Sequence, residues 1–219
     1  MGNKLIVTAA PHITGPDTTQ KIMQRVCIAL VPTLIASVII FGIQALILTV
    51  VTVAACVLFE YGYCKMMGRE VPVGDFSAAV TGMLLAFNLP ATLPWWMGVV
   101  GAFIAIVIVK QLFGGLGYNF ANPALVGRIV LFLGFTSRMT AYVYPDMSVD
   151  ALASATPLNA AVDLHSVSFV DMLLGIHGGM MGETCVIAIL LGLAYLKDYK
   201  KRPLPFHYCP QKYLYCPLQ

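Results

Sequence analysis

The chain has 219 residues, of which 59% are hydrophobic and only 11% charged, with a net charge of +3. An average soluble domain carries roughly 25% charged residues. A soluble globule of this size could not hide the apolar surface implied by a mean hydropathy of +0.83, because small globules bury only part of what the unfolded chain exposes. The composition therefore excludes the ordinary soluble classes and implies an all-α polytopic membrane protein.

The opening residues 1–25 are polar, carry Lys4, Lys21 and Arg25, and lack the short apolar core of a secretory signal. Thr18 to Met23 reads as the start of a short interfacial helix. His12, in a Pro/Gly-bearing approach, reads as a surface histidine. From Val26 to Tyr63 the chain is almost uncharged, too long for one crossing of roughly 30 Å of hydrocarbon and suited to two. Phe41-Gly42 is the natural break, giving spans near 26–42 and 44–64. A third span, about 76–89, stops at Asn88-Leu89-Pro90, and Trp95-Trp96 suits a membrane–water boundary. A fourth runs from about 96 to 109 and ends at Lys110.

The next stretch, Gly114 to Pro123, is rich in Gly and Asn, and the fifth span after it, about 124–135, is short and contains Arg128. Short spans interrupted by Gly or Pro mark broken helices that line a cavity. A polar interval of residues 138–178 follows, much longer than ordinary connections. A sixth span, about 182–196 and opening with Glu183, precedes an atypical, proline-bearing tail, 197–219.

Charge placement sets the orientation, because basic residues collect on the cytoplasmic side. With the N-terminus inside and six spans, all 13 basic residues except Arg128 and Arg138 fall on the inside. The chain then divides into a cytoplasmic segment 1–25, helices 1–5 over 26–137, an extracytoplasmic loop 138–178, helix 6 over 179–196 and a cytoplasmic tail 197–219.

Few side chains in the spans can carry chemistry. An intramembrane arginine is costly and needs a partner, and for Arg128 this is either carbonyls freed at the Asn122-Pro123 break or an anionic ligand at a helix terminus. Asn119 and Asn122 either cap half-helices or hydrogen-bond a ligand ring, capping being the simpler role. Glu60 and Glu183 either serve an ion path or, the simpler expectation for both, sit at the interfaces with their carboxylates in water, and His177 is expected in a turn. The six cysteines form no C-x-x-C pair, and Cys209 and Cys216 are spaced more widely than zinc or iron–sulfur loops require. No metal site, catalytic triad, phosphate-binding loop or nucleic-acid motif is expected. In the polar interval, Ser154 to Leu158 is either only a polar turn or, with Pro157 holding Thr156 extended, a threonine well presented to a modifying enzyme, and residue type alone does not separate the two.

Several stretches together resemble the D subunit of the Rnf complex, the ion-translocating ferredoxin:NAD oxidoreductase of bacterial membranes. They are Thr8 to Ile13, Asn88 to Trp96, Lys110 to Gly117, Asn119 to Arg128, and Ala155-Thr156-Pro157-Leu158, so that the likeness covers about residues 5–196. The resemblance implies that Thr156, framed by Ser154, Ala155, Pro157 and Leu158, carries FMN through a phosphoester bond made by a flavin transferase. Ser154 stands where the family usually has glycine, so a small residue is kept. A second flavin is a further expectation, and Asn119, Asn122 and Arg128 form a candidate flavin pocket. The implied partners are the other membrane and flavin or iron–sulfur subunits of the complex, in a bacterial cytoplasmic membrane.

The implied role is electron transfer coupled to Na⁺ or H⁺ translocation, within a complex and not catalytic alone. The alternatives are the B subunit of the sodium-translocating NADH:quinone reductase and, in another class, a solute channel or transporter of related helical fold. The family protein is similar to a ten-helix protein of two inverted repeats. Six spans correspond to the first repeat plus one helix, and the tail suggests a truncated or frame-shifted product.

Overall fold

The computed structural model describes residues 18–68, 72–143, 153–154, 169–175 and 178–201. Two long helices come first, α1 (Thr19–Phe41) and α2 (Ile43–Met66). The Thr18 side chain accepts from Lys21 N and caps α1. The interfacial turn and the first span thus form one helix rather than two pieces, since no residue between Met23 and Val26 breaks the helical pattern. Gly42 separates α1 from α2 with φ of 77°, a conformation glycine adopts without strain. Both helices are long and apolar enough to cross a membrane.

A 3₁₀ turn (Pro72–Asp75) leads into α3 (Ser77–Phe87), then α4 (Trp95–Phe103), which continues as a π-helix over Ile104–Gln111. The expected end of the fourth span at residue 109 is two residues early, because the π stretch carries Lys110 and Gln111 inward instead of releasing them to a loop. After the Gly/Asn segment come α5 (Pro123–Gly134) and the single turn α6 (Thr136–Met139). Within the polar interval, β1 (Tyr142–Val143) pairs antiparallel with β2 (Ala153–Ser154), Tyr142 opposite Ser154. Last come α7 (Phe169–Leu174) and α8 (Val186–Lys201). Among the described residues the fold is all-helical apart from this short bridge.

The core forms around α2, which packs on α3 and α4, while α8 lies along α1. One cluster joins Ala45, Leu48, Leu89, Met97, Leu131 and Met181, and another joins Cys56, Ala78, Leu85, Ala105, Ile106 and Ala124. Small residues permit the close crossings. A Cβ at Gly82 would lie 2.8 Å from Val53 Cα, and one at Gly192 would run into the Ala29 carbonyl. Such small-residue contacts replace the hydrophobic driving force that helices lack in lipid.

The polarity of the bundle runs inside out. On α1, Ile35 and Ile39 are exposed while Thr33 and Ser37 are buried. Three buried hydroxyls return to their own helices, Ser37 to Leu34 O, Thr49 to Ala45 O and Thr52 to Leu48 O. Apolar side chains outside and hydroxyls turned inward onto their own helices suit a hydrocarbon solvent.

Candidate functional site

Among the described residues, the main charged feature of the interior is at one end of the bundle. Glu60 on α2 and Lys110 on the π-helix are both buried, and Lys110 Nζ donates to Glu60 Oε1 at 2.6 Å. The same ammonium donates to Ser77 Oγ, the first residue of α3, at 2.7 Å. Gln111 Nε2 donates to Glu60 Oε1 at 2.8 Å, and the Cys64 thiol donates to Gln111 Oε1 at 3.8 Å. Glu60 Oε2 has no hydrogen-bond partner among the described residues.

The local sequence explains this gathering. Cys64 follows Glu60 by one helical turn and shares its face of α2. The wider π turn lets the consecutive residues Lys110 and Gln111 both reach Glu60. Leu112 N bonds back to Val107 O at 3.1 Å and Gly115 N to Lys110 O at 3.0 Å, five-residue steps of that wider winding. The expectation that Glu60 keeps its carboxylate in water is therefore corrected. Its apolar helix carries it inward, where Lys110 supplies the countercharge. Lys110 is likewise no loop charge. Glu183 is exposed, as expected at an interface, and its Oε1 accepts from Met180 N at 3.0 Å.

Lys110 and Ser77 line a cavity of about 410 Å³, together with Thr81, Asn119, Asn122 and Pro123. Its volume lies within the roughly 300–1,000 Å³ of small-molecule sites. Two helices start at its wall. α5 begins with Asn122, whose Oδ1 accepts from Ala124 N at 3.0 Å, and with Pro123 in the first turn. α3 begins after Phe76, which is held at φ of 57°, the only non-glycine residue with positive φ among those described. Such a conformation is costly for a bulky residue, and it turns the chain so that Ser77 faces the cavity. Asn119 Oδ1 is buried and has no partner among the described residues.

The candidate flavin-pocket residues thus divide. Asn119 and Asn122 share one cavity, Asn122 as a cap and Asn119 with an orphaned acceptor. Arg128 does not line it. Its Nη1 donates to Asn88 Oδ1 at 3.1 Å, and Asn88 Nδ2 donates in turn to Leu84 O at 2.7 Å. The partner of Arg128 is a side-chain amide at the C-terminus of α3, where the helix dipole also favours a cation. Sequence reasoning does not find Lys110 as a lining residue, because it reads as the charge that ends a span. Of the flavin-anchor stretch, Ser154 lies in β2, and Ala155, Thr156, Pro157 and Leu158 lie outside the described residues, as do His12 and His177.

A buried cation, an orphaned acceptor and two helix starts around one cavity fit a polar ring ligand such as a flavin.

The family model described as the NQR2, RnfD, RnfE family matches residues 6–201. The chain is 43% identical over 197 residues to the D component of the Na⁺-translocating ferredoxin:NAD⁺ oxidoreductase complex of Acetobacterium woodii, covering 88% of this chain and 62% of that one. It is 37% identical over 212 residues to the D component of the proton-translocating ferredoxin:NAD⁺ oxidoreductase complex of Clostridium ljungdahlii, covering 91% and 63%. With the D component of the ion-translocating oxidoreductase complex of Shewanella denitrificans it shares 35% identity over 204 residues, covering 89% and 58%. The chain spans about three fifths of the length of these relatives. Its apolar helices, its inside-out polarity and a match across nearly the whole sequence agree, and the chain belongs to the NQR2, RnfD, RnfE family of membrane proteins.

Proposed function

We propose that the chain is an electron-transfer component of an Rnf-type membrane complex, in which ferredoxin:NAD electron transfer drives Na⁺ or H⁺ translocation. The observation that carries this reading is the match over 197 residues to the D component of a complex named for that reaction. In this reading the chain crosses the bacterial cytoplasmic membrane six times with its N-terminus inside, and the other Rnf subunits are its partners.

FMN is the redox group of the proposal, joined through its phosphate to the Thr156 hydroxyl oxygen by a flavin transferase. The transferase breaks the pyrophosphate bond of a flavin dinucleotide, the nucleoside monophosphate leaving and the hydroxyl proton passing to solvent. Flavin supplies the electron-carrying chemistry, and the protein supplies position and electrostatics. The Ala155-Thr156-Pro157-Leu158 stretch supports the anchor, and the β1–β2 bridge ties the residues just before Thr156 back to the end of α6. A second, non-covalent flavin is assigned to the cavity of Asn119, Asn122 and Lys110, because its donors and acceptor complement the ring. The test is co-expression with the flavin transferase, followed by in-gel flavin fluorescence under denaturing conditions. Fluorescence in the wild-type band and none in Thr156→Ala is the expected result. Equal fluorescence in both would remove Thr156 as the anchor.

A further inference from the structure

We propose that the groove between α1, α3 and α8 holds one acyl chain of an anionic phospholipid, whose phosphate lies against Arg25 and Lys197. The proposal needs only that the chain lies in a membrane, and it stands whether or not a flavin binds.

The groove follows from the way α8 lies on α1. A Cβ at Gly192 would run into the Ala29 carbonyl, whereas one at Gly175, just before α8, would lie 3.0 Å from Ile40 Cδ1. The later residues of α8 therefore sit against the earlier residues of α1, and the two helices run antiparallel. Their contact is a narrow stripe of small residues. Ala188 and Gly192 are buried, while Leu193 beside them is 57% exposed. Next to this stripe lies a cavity of about 400 Å³, walled by Val26 and Leu30 of α1, Leu84 and Phe87 of α3, and Leu193 and Leu196 of α8. Along α1 the lining runs from Val26 to Thr33, roughly 10 Å at the rise of an α-helix. That is about two thirds of the hydrocarbon depth of one leaflet, ~15 Å.

The two ends of the groove differ in charge. At the deep end Asn88 is engaged by Arg128 and by Leu84 O, and Glu183 Oε1 accepts from Met180 N. At the other end the apolar lining stops at Val26 and Leu196, and the adjoining residues in sequence are the cations Arg25 and Lys197. Arg25 lies one turn before Ala29 and Leu196 one turn after Gly192, so the antiparallel packing brings both cations to one level, with Lys21 a turn further out. Among the described residues the carboxylates of this end are Asp198 and Asp75, the latter in the 3₁₀ turn against α1. After Asp198 the sequence adds Lys200, Lys201, Arg202 and Lys212 and no further acidic residue. The rim is net basic. Basic pockets between membrane helices attract anionic headgroups, and long cationic side chains reach the interface along apolar surface. A neighbouring apolar helix would satisfy the walls and leave the cations unanswered. A phospholipid satisfies both, its tail along Leu30 and Leu193 and its phosphate at the rim.

The test is native mass spectrometry of the full chain, delipidated in detergent and titrated with phosphatidylglycerol or with phosphatidylcholine of the same acyl chains. The wild type should retain one phosphatidylglycerol at least about fivefold better than phosphatidylcholine, the factor expected of a single interfacial cation. Arg25→Gln with Lys197→Gln should retain the two lipids equally. Lys197→Gln alone, a change at an exposed side chain, should already reduce the preference, and it decides the matter if the double variant does not fold. Leu193→Trp fills the groove and should lose both lipids. Leu191→Trp, as exposed on α8 but outside the groove, should behave as wild type. Equal retention of the two lipids by the wild type, the result expected if a neighbouring helix fills the groove, would overturn the proposal. So would loss of lipid from the Leu193 and Leu191 variants alike, or from neither.

Discussion

Lys110 and Glu60, 50 residues apart in sequence, meet at 2.6 Å in the interior of the bundle, with Ser77 and Gln111 completing the cluster. Removing one member leaves an uncompensated buried charge, and removing both leaves none. Lys110→Met and Glu60→Leu should each destabilise the folded chain by about 3–5 kcal/mol, whereas the double replacement should lie close to wild type. Thermal unfolding in detergent measures this cycle, and additive losses in the double variant would contradict the pairing.

The two asparagines of the cavity should behave differently. Asn122→Ala removes the cap of α5 and should cost about 1 kcal/mol of stability, with Asn122→Ser recovering most of it. Asn119→Ala removes a buried acceptor without a partner among the described residues, so its stability should be unchanged or raised, while riboflavin binding falls. Melting curves and riboflavin titrations of the two variants separate these effects. Equal loss of stability in both would make Asn119 a structural residue.

Arg128 depends on Asn88. Asn88→Leu is isosteric enough to keep α3 packed but leaves the guanidinium without its acceptor, and should cost about 1–2 kcal/mol. Replacing Arg128→Leu in the same background should recover part of that loss. The sign of this recovery in a double-mutant cycle is the check.

Close helix approach gives a steric prediction. Gly82→Val would place a branched side chain where even a Cβ comes within 2.8 Å of Val53 Cα, so α2 and α3 must move apart. Overpacking of this kind costs about 1–3 kcal/mol or more. Gly62→Ala, whose Cβ would meet nothing within 4 Å, is the matched control. Similar melting of the two variants would argue against the observed crossing.

The sequence makes some of this architecture readable and hides the rest for definite reasons. The break at Gly42, the short α3 and α5, and the cap at Asn122 are local events, each signalled by glycine, proline or asparagine at the position itself. The buried ion pair is not local. A lysine after an apolar run looks like the end of a span, and only the π winding of Ile104–Gln111 shows that it turns inward. Periodicity assumes an α turn and cannot register that change. For the same reason Lys110 drops out of the charges that set orientation, although the remaining basic residues keep their distribution. Arg128 announces that it needs a partner, but Asn88 lies 40 residues away and becomes visible only when α3 and α5 pack.

The central claim is that Thr156 carries the flavin, and the mass of the intact chain tests it most directly. Co-expressed with the flavin transferase, the wild-type chain should gain the mass of one FMN joined with loss of water, released by phosphoester cleavage, and Thr156→Ala should gain nothing. A wild-type chain of unmodified mass under those conditions, or a Thr156→Ala chain that gains the same increment, would contradict it.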